Sequence, residues 1–168
     1  MSVHEIRLLG DPVLRKKCRP VEAVDDEVRR LVDDLAETMY EADGIGLAAP
    51  QIGVSVRVFV YDVRDPDVPA GALINPEIVE SEGMVKEEEG CLSIPGLAEL
   101  VERRAKIVMR ALDREGREVR IEADGLLSRC LQHELDHLDG VLFVDHLSPL
   151  KRRMLLKRWS KAGKRKAG

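Results

Sequence analysis

At 168 residues, with 44% apolar and 35% charged side chains, the chain is expected to form one domain over residues 1–168, with a core that needs neither disulfides nor a metal staple. No apolar run reaches membrane-spanning length, the start MSVHEIRLLGDP lacks a signal-peptide core, and three scattered cysteines (Cys18, Cys91, Cys130) argue against a disulfide framework. Membrane and secreted classes are thereby set aside, and the cytoplasm is the expected location.

The net charge of −4 is uneven. Residues 151–168 hold nine Lys or Arg and no acid, and taking those nine away leaves −13 on the remainder. Aromatic residues make up only 3%, so Leu, Val, Ile and Ala must fill the core.

Residues 1–22 read as an extended arm punctuated by Pro12 and Pro20. Asp25 suits an N-cap, and Val28, Leu31, Val32, Leu35 and Met39 recur at helical spacing, which predicts an amphipathic helix stopping at Gly44. The stretch Gly44-Ile45-Gly46-Leu47-Ala48-Ala49-Pro50-Gln51 leaves its backbone with little side-chain cover. Taken alone it reads as a tight surface turn, and its glycine spacing is not that of a phosphate loop. Residues 56–63 predict a strand. Residues 72–74 and 78–79 predict short strands split by Asn75-Pro76, and residues 84–89 alternate weakly. Residues 105–112 and 118–122 flank a glycine-containing hairpin turn at 113–117.

Strands at close spacing without helices between them predict the α+β class: short antiparallel sheets around a central helix, with an N-terminal and a C-terminal helix. Asp124 is placed to cap the central helix and Gly140 to end it. Leu126, Cys130, His133 and His137 share one face of it, and Leu127, Leu131, Leu135 and Leu138 share another. The histidine stripe is therefore expected to face a partly apolar cavity. Ser148 and Pro149 suit the N-cap and first position of a last helix and basic tail at 149–168, docked by Leu150, Met154, Leu155 and Trp159.

The central helix carries Gln132-His133-Glu134-Leu135-Asp136-His137. Residues four apart lie on one helix face, so both imidazoles can take corners of a metal's coordination shell, and Glu134 lies close enough to act on a metal-bound water. A catalytic site usually has three protein ligands and an open position. Downstream the candidates for the third are Asp139, Asp145 and His146. Upstream is Cys91, in Glu89-Gly90-Cys91-Leu92-Ser93. On the residues alone Cys91 stands evenly between a ligand and a small core residue.

The three stretches 44–51, 89–93 and 132–137, in this order and at this separation, resemble the peptide deformylase family. The likeness extends to Gly10–Arg15, Ala123–Leu127 and Gly140–Phe143. It implies Cys91, His133 and His137 as metal ligands and one Fe²⁺ per chain, with Zn²⁺, Ni²⁺ or Co²⁺ able to substitute. It implies a hydrolase that removes the formyl group from the N-terminal formyl-methionine of nascent polypeptides and releases formate. Metal-bound hydroxide would attack, with Glu134 as general base and then acid. The Gln51 amide and the Leu92 backbone N–H would stabilise the oxyanion. Ile45, Gly46, Gly90, Leu126 and Cys130 would flank the substrate, Gly46 pairing with its backbone in strand fashion and Gly90, with Ser93, shaping the Cys91 turn. Cys130 divides equally between pocket and core. Asp136 would pair with Arg103 or Arg104. Two positions depart from the family pattern: Ala98, beside Glu99, where relatives often carry Arg, and Glu87, where the residue is often apolar. Both bear on substrate preference rather than on the reaction.

The last helix resembles the Gram-negative and organellar form of the family, which implies a ribosome contact through its basic face, as nine uncompensated positive charges would favour. The other reading of the tail is a solvated terminus. A monomer without membrane contact is expected. Two rival readings remain: a zinc peptidase of the HExxH kind, with its third ligand downstream, and a non-enzymatic metal- or RNA-binding domain, for which neither Glu134 nor Gln51 would be needed.

Overall fold

Helix α1 (Asp26–Glu41) begins where its sequence predicts, because the Asp25 carboxylate accepts the Val28 N–H at 3.0 Å and Asp26 and Glu27 favour the positive end of the helix dipole. It buries Val32, Leu35 and Met39 and hands the chain on through Asp43, at φ 57°. These elements come from a computed structural model, which describes residues 2–167 and side chains as far as Lys161.

Five strands form one antiparallel sheet in chain order: β1 (Gly46–Ala48), β2 (Val58–Tyr61), β3 (Gly71–Cys91), β4 (Ile94–Leu112) and β5 (Glu118–Asp124). The period-2 pattern is clearest in β4, where Val101, Arg103, Ile107, Met109 and Ala111 are buried on one face. Helix α2 (Gly125–Leu138) packs against β4, β1, β2 and β5, with Leu131 and Leu138 fully buried and Leu127 and Leu135 partly so. Full burial of such a side chain stabilises by about 1.5–3 kcal/mol. Helix α3 (Pro149–Ala167) follows a 3-10 turn at Phe143–His146.

The architecture is the α+β class, with longer strands than the sequence predicts. The two short strands split by Asn75-Pro76, and the weak one after them, are a single strand, β3. A bulge carries Asn75 and Pro76 past the ladder, so the missing proline N–H costs no pairing. Asn75, at φ 51°, uses its amide to hold the N-terminal arm, donating to the Val21 carbonyl and accepting from the Val21 N–H, both at 2.8 Å.

Three further expectations change. Gly44–Gln51 is not a surface turn: Gly46–Ala48 is a buried strand and Ala49–Ile52 a buried 3-10 turn, since small side chains let backbone enter the interior. Asp124 occupies the N-cap of α2, but its side chain makes no capping bond. On α3, Leu155 is fully buried and Trp159 packs beside it, whereas Leu150 and Met154 are 62% and 56% exposed, because only one stripe of the helix meets β4 and the 3-10 turn. Ser148 does cap α3, accepting the Lys151 N–H at 3.2 Å.

Candidate metal centre and active-site cleft

The four-residue spacing on α2 sets the His133 and His137 rings 4.9 Å apart, with their Nε2 atoms 3.1 Å from each other. The β3–β4 hairpin closes at Cys91 opposite Ile94 and carries the Cys91 Sγ to 3.3 Å from His137 Nε2. All three donor atoms lie within 4.8 Å of one another. A tetrahedral site with one sulfur and two nitrogens has edges of about 3.3 Å (N–N) and about 3.6 Å (S–N). The observed separations fit it. The atoms that face one another are His133 Nε2, His137 Nε2 and Cys91 Sγ, three lone-pair donors of the kind that ligate metals, gathered in a buried spot. A cation held by Cys91, His133 and His137 would satisfy all three lone pairs. The donor set suits a borderline divalent metal.

Behind this set is a buried ionic network. Glu89 Oε2 lies 2.7 Å from His133 Nδ1, which leaves His133 Nε2 free to act as a ligand. Glu89 also takes a two-pronged bond from Arg103, at 3.1 and 2.6 Å, and a further one from Arg129 at 3.1 Å. Arg103 reaches on to Asp136 at 2.5 Å. Burial alone would raise the Glu89 pKa, but the bonds from His133 and Arg103 outweigh it and hold the carboxylate far below the usual range. Burial opposes charge on His133, while the Cys91 sulfur and Glu89 favour a positive charge there, a preference that a bound cation would meet in place of a proton. Burial keeps His137 neutral, its pKa well below normal.

Glu134 is 4% exposed, its Oε1 has no hydrogen-bond partner, and burial pushes its pKa up to about 7. A Cβ added to Gly46 would sit 2.6 Å from Glu134 Oε2, so the bare glycine of β1 is what gives this carboxylate its place. Gln51 is buried beside it. Its Oε1 accepts the Ala48 N–H at 2.9 Å, and its Nε2 donates to Ser93 Oγ at 3.0 Å and faces Cys91 Sγ at 3.7 Å. In front lies a cleft of about 590 Å³. One wall is Gly44, Ile45 and Gly46; another is Glu88, Gly90, Leu92, Leu97 and Ala98; Leu126, Arg129, Cys130, His133 and Glu134 close it.

Cys91, His133, His137, Glu134, Gln51, Leu92, Ile45, Gly46, Gly90, Leu126 and Cys130 all meet this cleft or the donor cluster behind it, whereas Glu87 does not line it. Leu92 occupies the hairpin turn with its side chain against Gly44, where a Cβ would be 2.7 Å from Leu92 Cδ1. Cys130, divided in the sequence reading between pocket and core, borders the cleft and also packs in the core, with its thiol 3.5 Å from the Ile45 carbonyl. Asp136 pairs with Arg103, as one of its two expected partners. Of the departures, Ala98 lines the cleft and Glu99 pairs with Lys151 at 3.5 Å.

The downstream ligand candidates are engaged elsewhere. Asp139 pairs with Arg57 at 3.0 Å, Asp145 with Arg15 at 2.6 Å, and His146 with Asp136 at 2.8 Å. The buried partners Glu89 and Arg129 carry no role in the sequence reading. The only signal for Glu89 is an acid two positions before the candidate ligand, and for Arg129 a basic residue on the histidine stripe's own helix.

An α+β scaffold that presents a His-Glu-x-x-His helix and a hairpin cysteine to one cleft defines an enzyme with a candidate metal centre in the cleft floor. A family model described as polypeptide deformylase matches residues 3–153. A peptide deformylase of Alkalilimnicola ehrlichii is 54% identical over 166 residues, covering 96% of this chain and 91% of that one. The crystal structure of a peptide deformylase from Legionella pneumophila matches with a TM-score of 0.93 and 47% identity over 99% of this chain and 98% of that one. The structure of the Ehrlichia chaffeensis peptide deformylase in complex with actinonin matches at 0.91 and 40% identity, over 96% and 98%. The chain belongs to the peptide deformylase family, a family of metal-dependent enzymes.

Proposed function

We propose that the chain removes the formyl group from the N-terminal formyl-methionine of nascent polypeptides, using a single Fe²⁺, or Zn²⁺ in its place, held by Cys91, His133 and His137. One observation carries this reading: three donor atoms converge beside a buried glutamate that lines an apolar cleft and has an unpartnered oxygen. When bound, the metal supplies a Lewis acid that makes water a nucleophile near neutral pH.

The chain's own residues do the rest. Glu134 takes a proton from the attacking water and returns it to the methionine amine as the amide C–N bond breaks. The products are formate and a peptide with a free N-terminal Met. The Gln51 Nε2 hydrogen that Ser93 leaves free, together with the Leu92 N–H, donates to the carbonyl oxygen as it gains charge. The apolar walls, with Ile45, Leu126 and Cys130, suit an unbranched thioether side chain, and β1, an edge strand, offers Gly46 for backbone pairing with the substrate. Ribosome contact through α3 belongs to the same proposal, supported by the exposed Arg152, Arg153, Lys157 and Arg158.

The ligand set is tested by metal content after purification. Cys91→Ser should lose the metal while Asp145→Ala and His146→Ala retain one per chain. The reverse pattern would favour a peptidase with a downstream ligand.

A further inference from the structure

The Arg129 guanidinium is buried and makes three hydrogen bonds: to Glu89 Oε1 at 3.1 Å, to the Val101 carbonyl at 2.9 Å and to the Val85 carbonyl at 2.9 Å. It rises from α2 one turn before His133, and its three acceptors lie on β3 and β4. It therefore ties the helix that supplies two candidate ligands to both strands of the hairpin that supplies the third. The deletion of this one side chain would leave Glu89 Oε1 with a single donor, from Arg103, and the Val85 carbonyl and the buried Val101 carbonyl without the bonds it gives them.

The geometry at Glu89 says what this does. Arg103 bonds both carboxylate oxygens and is itself held by Asp136 at 2.5 Å, so Glu89 and Arg103 form one bonded unit beside the helix. Oε2 lies 2.7 Å from His133 Nδ1 and holds that ring, and Arg129, reaching Oε1 from α2, ties the carboxylate to the same helix that carries His133. We propose that Arg129 is a positioning residue for the metal centre: through Glu89 it fixes the orientation of His133, and through the Val85 and Val101 carbonyls it fixes the hairpin that bears Cys91 relative to α2. This rests on the ligand set proposed above.

The experiment compares wild type, Arg129→Met, Arg129→Lys and Arg117→Met, the last an exposed arginine in the β4–β5 turn that controls for loss of charge. Co²⁺ affinity is measured by chelator competition, and the visible absorption of the Co²⁺-saturated proteins reports ligand geometry. Arg129→Met should lose up to about 10-fold in affinity, the low end of the range for removing a ligand's direct partner, since Arg129 acts through Glu89, and its absorption bands should shift at saturation. Arg129→Lys, with one point charge for three acceptors, should fall between, and Arg117→Met should match wild type.

Affinity within twofold of wild type and an unchanged spectrum in folded Arg129→Met would overturn the proposal, even if that variant melts earlier. Should it fail to fold, Arg129→Lys decides: wild-type affinity and spectrum overturn the proposal, and a loss supports it. Failure of the ligand set itself looks different, because wild type would then bind no stoichiometric Co²⁺, or Cys91→Ser would bind it equally well.

Discussion

Glu134 keeps its place because nothing larger than hydrogen stands at position 46. Gly46→Ala introduces a Cβ 2.6 Å from Glu134 Oε2, and the strand that carries it is pinned into the sheet on one edge, so the carboxylate must give way. A displacement on the order of 1 Å at a catalytic group costs up to about 100-fold in rate. The expected outcome is a fall of that order in kcat/KM on a formyl-Met peptide with metal content unchanged, and wild-type turnover would contradict it. At this scale the two candidate-ligand histidines and Glu134 are legible in the sequence, because a helix converts a four-residue spacing directly into a shared face. Their support is not. Glu89 finds Arg103 14 positions away, Arg129 40 away and His133 44 away, and only strand pairing and helix docking bring them together.

Helix α3 is held by a narrow stripe. Leu155 is its fully buried anchor, so Leu155→Ala should destabilise the protein by about 2–5 kcal/mol, while Leu150→Ala should stay within about 0.5 kcal/mol. Urea unfolding measures both, and equal effects would show the docking face to be misplaced. Asp145 reinforces the same junction, bonding Arg15 at 2.6 Å and the Leu142 N–H at 3.0 Å, with Arg152 of α3 at 3.4 Å. Burial opposes its ionisation, but these donors outweigh it and hold its pKa below 3.8. A carboxylate whose pKa falls on folding stabilises above its unfolded value and loses that contribution as pH falls through the folded one. Asp145→Asn should therefore cost on the order of 1 kcal/mol at pH 7 and progressively less toward pH 3. A gap that stays constant across that range would contradict the assignment. Among the elements, the three helices are legible from periodicity and caps. The strand β1 is not, since Gly and Ala carry no alternation to read, and β3 is broken on paper by Asn75-Pro76, which a bulge absorbs in the fold.

At the scale of the molecule, the sheet order follows the chain order, so every strand pairing is a local antiparallel connection and the long β3–β4 hairpin acts as an arm that brings Cys91 onto α2. That meeting of arm and helix makes one site from a cysteine and two histidines more than forty residues apart, a proximity that spacing alone leaves open and that the family resemblance supplies. All of the acid precedes residue 149 and nine uncompensated positive charges follow residue 150, the asymmetry on which the proposed docking rests. The central claim is the reaction itself. Protein purified without oxygen and loaded with one Fe²⁺ per chain is incubated with a formyl-Met tripeptide, and formate and free α-amine are both quantified. The account predicts one formate and one amine per turnover from wild type and neither from Cys91→Ser. Wild-type protein that holds its iron and releases no formate would contradict it.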